Sequence, residues 1–321
     1  MSSVPVFGSR DVEAAVSPER AVEVVREAFV AYSRGEWMMP SKVYVPAYPA
    51  GDFRAMPALG GGYALLKWVT SFPGNPELGL PTVTGLVLVS DASNGMPVAV
   101  LDAGAVTALR TGAAAVLAAE TLGRREAERA AVIGAGVNGR AAARTFLARG
   151  RGVSIWDVDA ARAEAVASEL GAEAAPSREE ALAAKVVATV TPGHEVLYSA
   201  GSLQPGQHVS LMGADGPGKS EIAPEELARV RVFADDWEQA SHNGELVHAV
   251  EAGVLSRNQV TQLGDVLTGA APGRRSSDEI TVFDSTGLAI QDLAIGIEVV
   301  RRFDGGANRD SFATVKEIDI G

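Results

Sequence analysis

The stretch Ala130-Ala131-Val132-Ile133-Gly134-Ala135-Gly136-Val137-Asn138-Gly139 decides the fold. Its four leading apolar residues, bounded by glycine, read as a short buried strand, and the alanine-rich run beyond Gly139 reads as a helix. Gly134, Gly136 and Gly139 between them have G-x-G-x-x-G spacing. The first glycine permits a tight turn, the second lets backbone approach a pyrophosphate, and the third lets helix pack on strand. The amides opening the helix, from Val137 and Asn138 onward, meet the phosphate charge.

Downstream, apolar runs alternate with helical segments: Val153 to Trp156, the Ala160 to Leu170 helix, Val186 to Val190, His208 to Met212 and Val230 to Ala234. Such alternation predicts an α/β fold with a Rossmann-type, doubly wound parallel sheet covered by helices on both faces. Asp157 ends the strand after the glycine loop, where a carboxylate accepts the ribose hydroxyls of a dinucleotide. NAD is favoured over NADP, because that carboxylate repels a 2′-phosphate and Val158 rather than arginine follows it. Arg162, one helical turn on, is the cation within reach of a phosphate.

Upstream the pattern changes. Ser17 before Pro18 marks a helix start, and Val22, Val25, Phe29 and Tyr32 give that helix one apolar face as far as about Gly35. From Met38 to Val100 short segments such as Tyr44 to Ala47, Ala64 to Thr70 and Thr84 to Val89 are punctuated by Gly and Pro, which predicts antiparallel strands. An Ala-rich helix from Ala105 to Leu122 leads into the glycine-loop strand. Near the end, Ile290, Leu293, Ala294, Ile297 and Val300 form one helical stripe, read most simply as packing residues, on a helix expected to return to the first domain and to serve domain docking or dimer contacts. The expected organisation is a discontinuous α+β domain for substrate binding and dimerisation, residues 1–112 and 288–321, around a Rossmann domain at 113–287.

Composition narrows the function. At 321 residues the chain is long enough for two cores, and 47% hydrophobic with 21% charged residues is ordinary for a globular enzyme. A formal net charge of -12 opposes binding to nucleic-acid phosphates. Cysteine is absent, which removes disulfides, thiol nucleophiles and thiolate metal sites. No secretory leader or membrane span is evident, so the expected location is cytoplasmic. His242, Glu245, His248 and Glu251 recur every third residue. That step drifts around a helix and misses the i, i+4 spacing of a zinc helix, so they are read as a solvated helix face and no metal is expected.

Further motifs stand in order along the chain: Arg54-Ala55-Met56-Pro57, Lys67-Trp68-Val69-Thr70, Ser71-Phe72-Pro73-Gly74-Asn75, Leu80-Pro81-Thr82, Thr107-Ala108-Leu109-Arg110-Thr111, Met212-Gly213-Ala214-Asp215-Gly216-Pro217-Gly218-Lys219, Gly244-Glu245 and Phe283-Asp284-Ser285-Thr286-Gly287. Together they resemble the ornithine cyclodeaminase and mu-crystallin family, whose members include alanine dehydrogenases and imine reductases. The resemblance implies a homodimer and a substrate site to which both domains contribute.

It also implies roles. Lys67 polarises a carbonyl or exchanges a proton, and Asp215 activates water or receives the amine proton. Arg110 supplies a bidentate donor to a substrate carboxylate, with Arg54 or Lys42 as a second positive contact and Thr286 beside the substrate. Thr82, Arg110, Thr111, Thr189, Thr191, Met212, Gly213, Ala214, Asp215, Lys219 and Ser285 join the glycine loop as cofactor contacts. Position 54 chooses within the family: the cyclodeaminases carry glutamate there to handle a side-chain amine, whereas alanine dehydrogenases carry arginine thirteen residues before the lysine. Arg54 with Lys67 fits the latter. Lys42 departs from the arginine of many relatives.

The reading is an NAD-dependent amino-acid dehydrogenase acting on L-alanine. A cyclodeaminase making proline from ornithine and an imine or ketimine reductase are the alternatives, with a non-catalytic, crystallin-like ligand-binding protein as the reading of another class.

Overall fold

The computed structural model describes residues 2–193, 195–216, 218–305 and 315–320; Pro217, quoted above in the glycine-rich motif, lies outside them. The chain divides into two compact units, one of residues 1–110 and 288–321, the other of residues 111–287. The division falls inside a single helix, between Arg110 and Thr111.

In the first unit the elements are β1 (Ser2–Phe7), α1 (Ser9–Ala15), α2 (Pro18–Ser33), β2 (Val43–Ala47), β3 (Gly51–Gly60), β4 (Tyr63–Ser71), β5 (Val83–Asp91), β6 (Pro97–Asp102) and the start of α3 (Ala103–Leu122). Ser17 caps α2, its hydroxyl accepting the Arg20 amide at 3.2 Å, and Pro18 occupies the first turn where no amide partner is needed.

The second unit continues with β7 (Arg129–Ile133), α4 (Val137–Ala148), β8 (Gly152–Trp156), α5 (Ala160–Leu170), β9 (Glu173–Ala174), α6 (Arg178–Leu182), β10 (Val186–Thr189), β11 (His208–Leu211), α7 (Pro224–Leu227), β12 (Arg231–Ala234), α8 (Trp237–Asn243), α9 (Leu246–Glu251), β13 (Val260–Gln262), α10 (Leu263–Leu267) and β14 (Thr281–Asp284). Then α11 (Ala289–Asp304) and β15 (Lys316–Ile320) belong to the first unit again.

The first unit's seven-stranded sheet has the order β15-β1-β6-β5-β4-β3-β2. From β2 to β6 the pairing is antiparallel, while β1 runs parallel to β6. Side chains alternate between faces with period two. Leu65, Lys67 and Val69 of β4 and Val87 and Val89 of β5 are therefore buried, whereas Leu66, Trp68, Leu86 and Leu88 point the other way and are exposed. The buried face is covered by α11, with α2 packed on that helix. Gly296 permits the close approach, since a Cβ there would stand 3.2 Å from Val89 Cγ2. The stripe from Ile290 to Val300 is thus packed core of this unit, as its packing reading has it, and side chains this fully covered leave no surface for the dimer contacts also expected of the helix.

The second unit has an eight-stranded parallel sheet, order β13-β12-β14-β11-β10-β7-β8-β9. Chain order reverses at β7, next to β10, where the crevice beyond the strand ends takes ligands in such sheets. The strands β10, β11 and β14 are buried along their whole length, the pattern of a sheet covered on both faces. By length and composition α3 matches a membrane span, yet 78% of that window is buried inside the protein, as in a core helix.

Candidate active site

Period two also builds the cationic cluster of the first unit. Asp52, Arg54 and Met56 share one face of β3; Arg54 pairs with Val69 of β4 and Met56 with Lys67, so all lie on the buried face with the lysine. Lys67 is 1% exposed. Its Nζ donates to Thr107 Oγ1 at 2.6 Å and to Asp292 Oδ1 at 2.8 Å. Arg110, one turn along α3 from Thr107, approaches the same Asp292 oxygen with Nε at 3.7 Å. That buried Nε has no hydrogen-bond partner among the described residues. Burial, with Arg110 and Arg54 nearby, pushes Lys67 down to about 8 against the pull of Asp292. At about 8 the ammonium loses its proton closer to neutral pH than an ordinary lysine does.

Arg54 is held as well. It donates Nε to Asp52 Oδ1 at 2.6 Å and Nη2 to Oδ2 at 3.3 Å, and its guanidinium lies over the Tyr44 ring at 5.3 Å. Lys42 is half-buried just before β2, and Thr82 half-buried just before β5. Sequence reasoning missed Asp292 and Thr107. The signal for Asp292 was an acid inside an otherwise apolar helical stripe.

In the second unit the glycine loop joins β7 to α4. Gly134 adopts φ +102°, a left-handed conformation that side chains resist, and a Cβ on Gly139 would meet Gly134 O at 1.8 Å. Gly136 is different. It caps α4 with no side chain, and a Cβ there would find nothing within 4 Å. Open space thus lies over helix N-terminal amides that no side chain caps among the described residues, the geometry that receives a phosphate. Asp157 orients the loop: Oδ2 accepts the Ala135 amide at 2.6 Å and Oδ1 the Asp159 amide at 2.9 Å. Arg162 pairs with Asp157 at 3.4 Å and with Asp159 at 3.3 Å. Val137 and Val158 stand exposed beside this loop.

The remaining second-unit candidates cluster at strand ends. Thr189 and Thr191 both donate hydroxyls to the buried Glu221 at 2.5 Å, so Thr189, wholly buried, is committed to that acid. Gly213 leaves no room for a side chain, its Cβ position lying 2.5 Å from Thr191 O and 2.8 Å from the Glu221 carboxyl. Met212 and Ala214 flank it and are buried. Asp215 accepts Lys219 Nζ at 2.7 Å. Thr111 is buried with a hydroxyl that has no hydrogen-bond partner among the described residues. Ser285 and Thr286 donate to Asp235, which also accepts the Gly287 amide at 2.9 Å.

Glu245 corrects another expectation. The segment read as one solvated helix is two, α8 and α9, broken at Gly244, and Glu245 is 1% exposed. Its carboxylate accepts the Glu221 amide at 2.8 and 3.0 Å. The break brings Gly244 against Asp284, where a Cβ would fall 2.4 Å from Oδ2.

A family model described as the ornithine cyclodeaminase/mu-crystallin family matches residues 6–306. The chain belongs to that family. An alanine dehydrogenase of Archaeoglobus fulgidus is 40% identical over 297 residues, 90% of this chain and 92% of that protein. An iminosuccinate reductase of Paracoccus denitrificans is 31% identical over 313 residues, 92% of this chain and 95% of that protein. Among solved structures, an archaeal alanine dehydrogenase dimer with bound NAD superposes with a TM-score of 0.92 at 38% identity, covering 100% of each chain. The chain is therefore an NAD-dependent enzyme of a family whose members act on amino and imino groups.

Proposed function

We propose that this protein is an NAD-dependent amino-acid dehydrogenase that converts L-alanine, NAD and water to pyruvate, ammonium, NADH and a proton, reversibly. The observation that carries the reading is the first unit's cluster: Arg110, its buried Nε without a hydrogen-bond acceptor, beside a buried lysine that titrates near neutral pH. Arg110 holds the substrate carboxylate. Lys67 in its neutral form takes a proton in the oxidative direction, and as ammonium gives one in the reductive direction. Asp215 activates the water that adds to the imine. The glycine loop and Asp157 hold NAD, which supplies the hydride acceptor. Holding the α-carbon in line for transfer accounts for most of the rate. Similarity to the archaeal alanine dehydrogenase supports the substrate, and Arg54 opposes an ammonium-tailed substrate such as ornithine.

The second reading, reduction of an imine, is favoured by whole-chain similarity to the iminosuccinate reductase and uses the same groups in reverse. The exposed apolar sheet face, with Leu66, Trp68, Leu86 and Leu88, supports a homodimer in which a second copy covers it.

The experiment incubates purified protein with NAD and either L-alanine or L-ornithine, following NADH absorbance, ammonia and proline. Net NADH and ammonia from alanine with no proline from ornithine support the proposal. Proline and ammonia from ornithine without accumulated NADH make the protein a cyclodeaminase.

A further inference from the structure

Asp292 lies in the first turn of α11, wholly buried on the side facing the sheet. Taking a carboxylate out of water costs several kcal/mol unless it is well paired. Its neighbours Leu293 and Ile295 show that apolar side chains fill this core, so packing alone does not call for an acid. The charges around it come from three elements. Lys67 of β4 donates to Oδ1 at 2.8 Å, Arg110 of α3 reaches the same atom at 3.7 Å, and the helix N-terminus adds its own positive field. Arg54 of β3 acts on Lys67 from farther away and is itself paired with Asp52.

Hydrogen-bond bookkeeping gives the lysine one open direction. The Thr107 hydroxyl spends its proton on Ala103 O at 2.6 Å, so its oxygen accepts from Lys67. A neutral amine has two N–H groups, which satisfy Thr107 and Asp292, and one lone pair left over. A proton arriving at or leaving Lys67 therefore does so at that single remaining tetrahedral position. We propose that Asp292 is a positioning residue that fixes the Lys67 amine for proton exchange and ties its proton to whatever occupies Arg110. The proposal rests on Lys67 being the exchanging group. Because the Arg110 charge opposes a proton on Lys67, an anion seated on Arg110 strengthens the lysine's hold on that proton.

The test reads Lys67 directly. The chain has five lysines, few enough to follow each side-chain nitrogen by NMR in 15N-lysine-labelled holoenzyme, with Lys67 assigned by loss of its signal in Lys67→Arg. In the unaltered protein the Lys67 signal titrates near pH 8, and saturating propionate, a carboxylate with no amine, moves it upward. In Asp292→Asn, which keeps the accepting oxygen and removes the charge, it moves down by about one pH unit or more, as expected for losing an opposite charge at contact distance. Asp292→Glu restores it, and the inflection in kcat/KM for the amino acid follows. An Asp292→Asn protein whose Lys67 titrates as before overturns the proposal, and so does a propionate-saturated protein whose Lys67 does not move; this second arm needs no variant to fold. If the NMR titration shifts while the kinetic inflection stays, Asp292 acts on Lys67 as proposed and the assignment of proton exchange to Lys67 is what fails.

Discussion

Arg54 and Asp52, two residues apart on β3, meet fork to fork with donor distances of 2.6 and 3.3 Å, both side chains nearly buried. A guanidinium engaged in this way is charge-compensated before any substrate arrives. Compensated in this way, Arg54 attracts a carboxylate and repels an ammonium, each more weakly than a bare cation would. Asp52→Asn uncovers the Arg54 charge. We predict that it raises kcat/KM for L-aspartate relative to L-alanine by about tenfold, the scale of one charge-assisted hydrogen bond gained, and lowers stability by a few kcal/mol through loss of the buried ion pair. Steady-state kinetics with both amino acids, beside a denaturant melt, measure the two effects; an unchanged ratio shows that Arg54 does not face the substrate side chain.

Arg110 makes the complementary prediction. With its Nε unclaimed by any hydrogen bond among the described residues, it is the guanidinium available to a carboxylate. Arg110→Ala should raise KM for the amino acid at least about tenfold and lower kcat, given the roughly 1.5–3 kcal/mol of a hydrogen bond to a charged group. Affinity for NADH, read by fluorescence titration, should change far less. Arg110→Lys recovers only part of the loss, because an ammonium cannot make the planar two-point contact. A variant that loses NADH binding and amino-acid binding equally would instead mark Arg110 as a cofactor contact.

The sequence was most legible where period and chemistry coincide locally. The β7 strand, the glycine loop and the capped α2 helix are each specified by neighbours in the chain, and Arg54 and Lys67 stand out as charges in apolar strands. What escaped was non-local or broken by a single residue. Asp292 sits in a helix whose apolar stripe dominates the pattern, and its partner Lys67 lies 225 residues away. Glu245 looks solvated at helical spacing; only the break at Gly244, forced by close approach to Asp284, turns it inward. Short elements such as β9 and α10 carry too few residues to show a period; pairing with β8 defines β9.

The buried acids of the second unit make its stability depend on pH. Burial pushes Glu245 up to about 8, aided by the Glu221 charge, and raises Glu221 and Asp284 as well. A carboxyl whose folded value is raised contributes stability that is complete below its unfolded value and lost as pH rises through the folded one. For Glu245 the window runs from its ordinary 4.5 to about 8. Lys67 does not offset this: pushed down to about 8 from 10.5, it is protonated in both folded and unfolded chains across most of that window, and its own contribution changes only above it. Calorimetry should therefore find a lower Tm at pH 8.5 than at pH 6, and Glu245→Gln should flatten the slope. A Tm that holds steady or rises over this range would mean the acids are ionised and compensated throughout.

Two glycines of one loop separate folding from cofactor binding. A methyl group on Gly139 would overlap Gly134 O, at 1.8 Å from the Cβ position, and only movement of α4 away from β7 relieves it. A methyl group on Gly136 meets no protein atom within 4 Å, and the residue's φ of -71° is one alanine adopts freely. Gly139→Ala should accordingly cost several kcal/mol of stability, in the range of overpacking at a backbone contact, whereas Gly136→Ala should cost no more than about 1 kcal/mol, the scale of a poorer helix cap. Yet the space the Gly136 methyl enters is the space over the α4 amides. If a pyrophosphate occupies it, Gly136→Ala loses NADH affinity by tenfold or more while remaining folded, a loss of the same order as a charge-assisted hydrogen bond. Measuring Tm and NADH fluorescence on the same two variants checks both halves. A Gly136→Ala protein that binds NADH normally would show that the phosphates lie elsewhere, whatever the fate of Gly139→Ala.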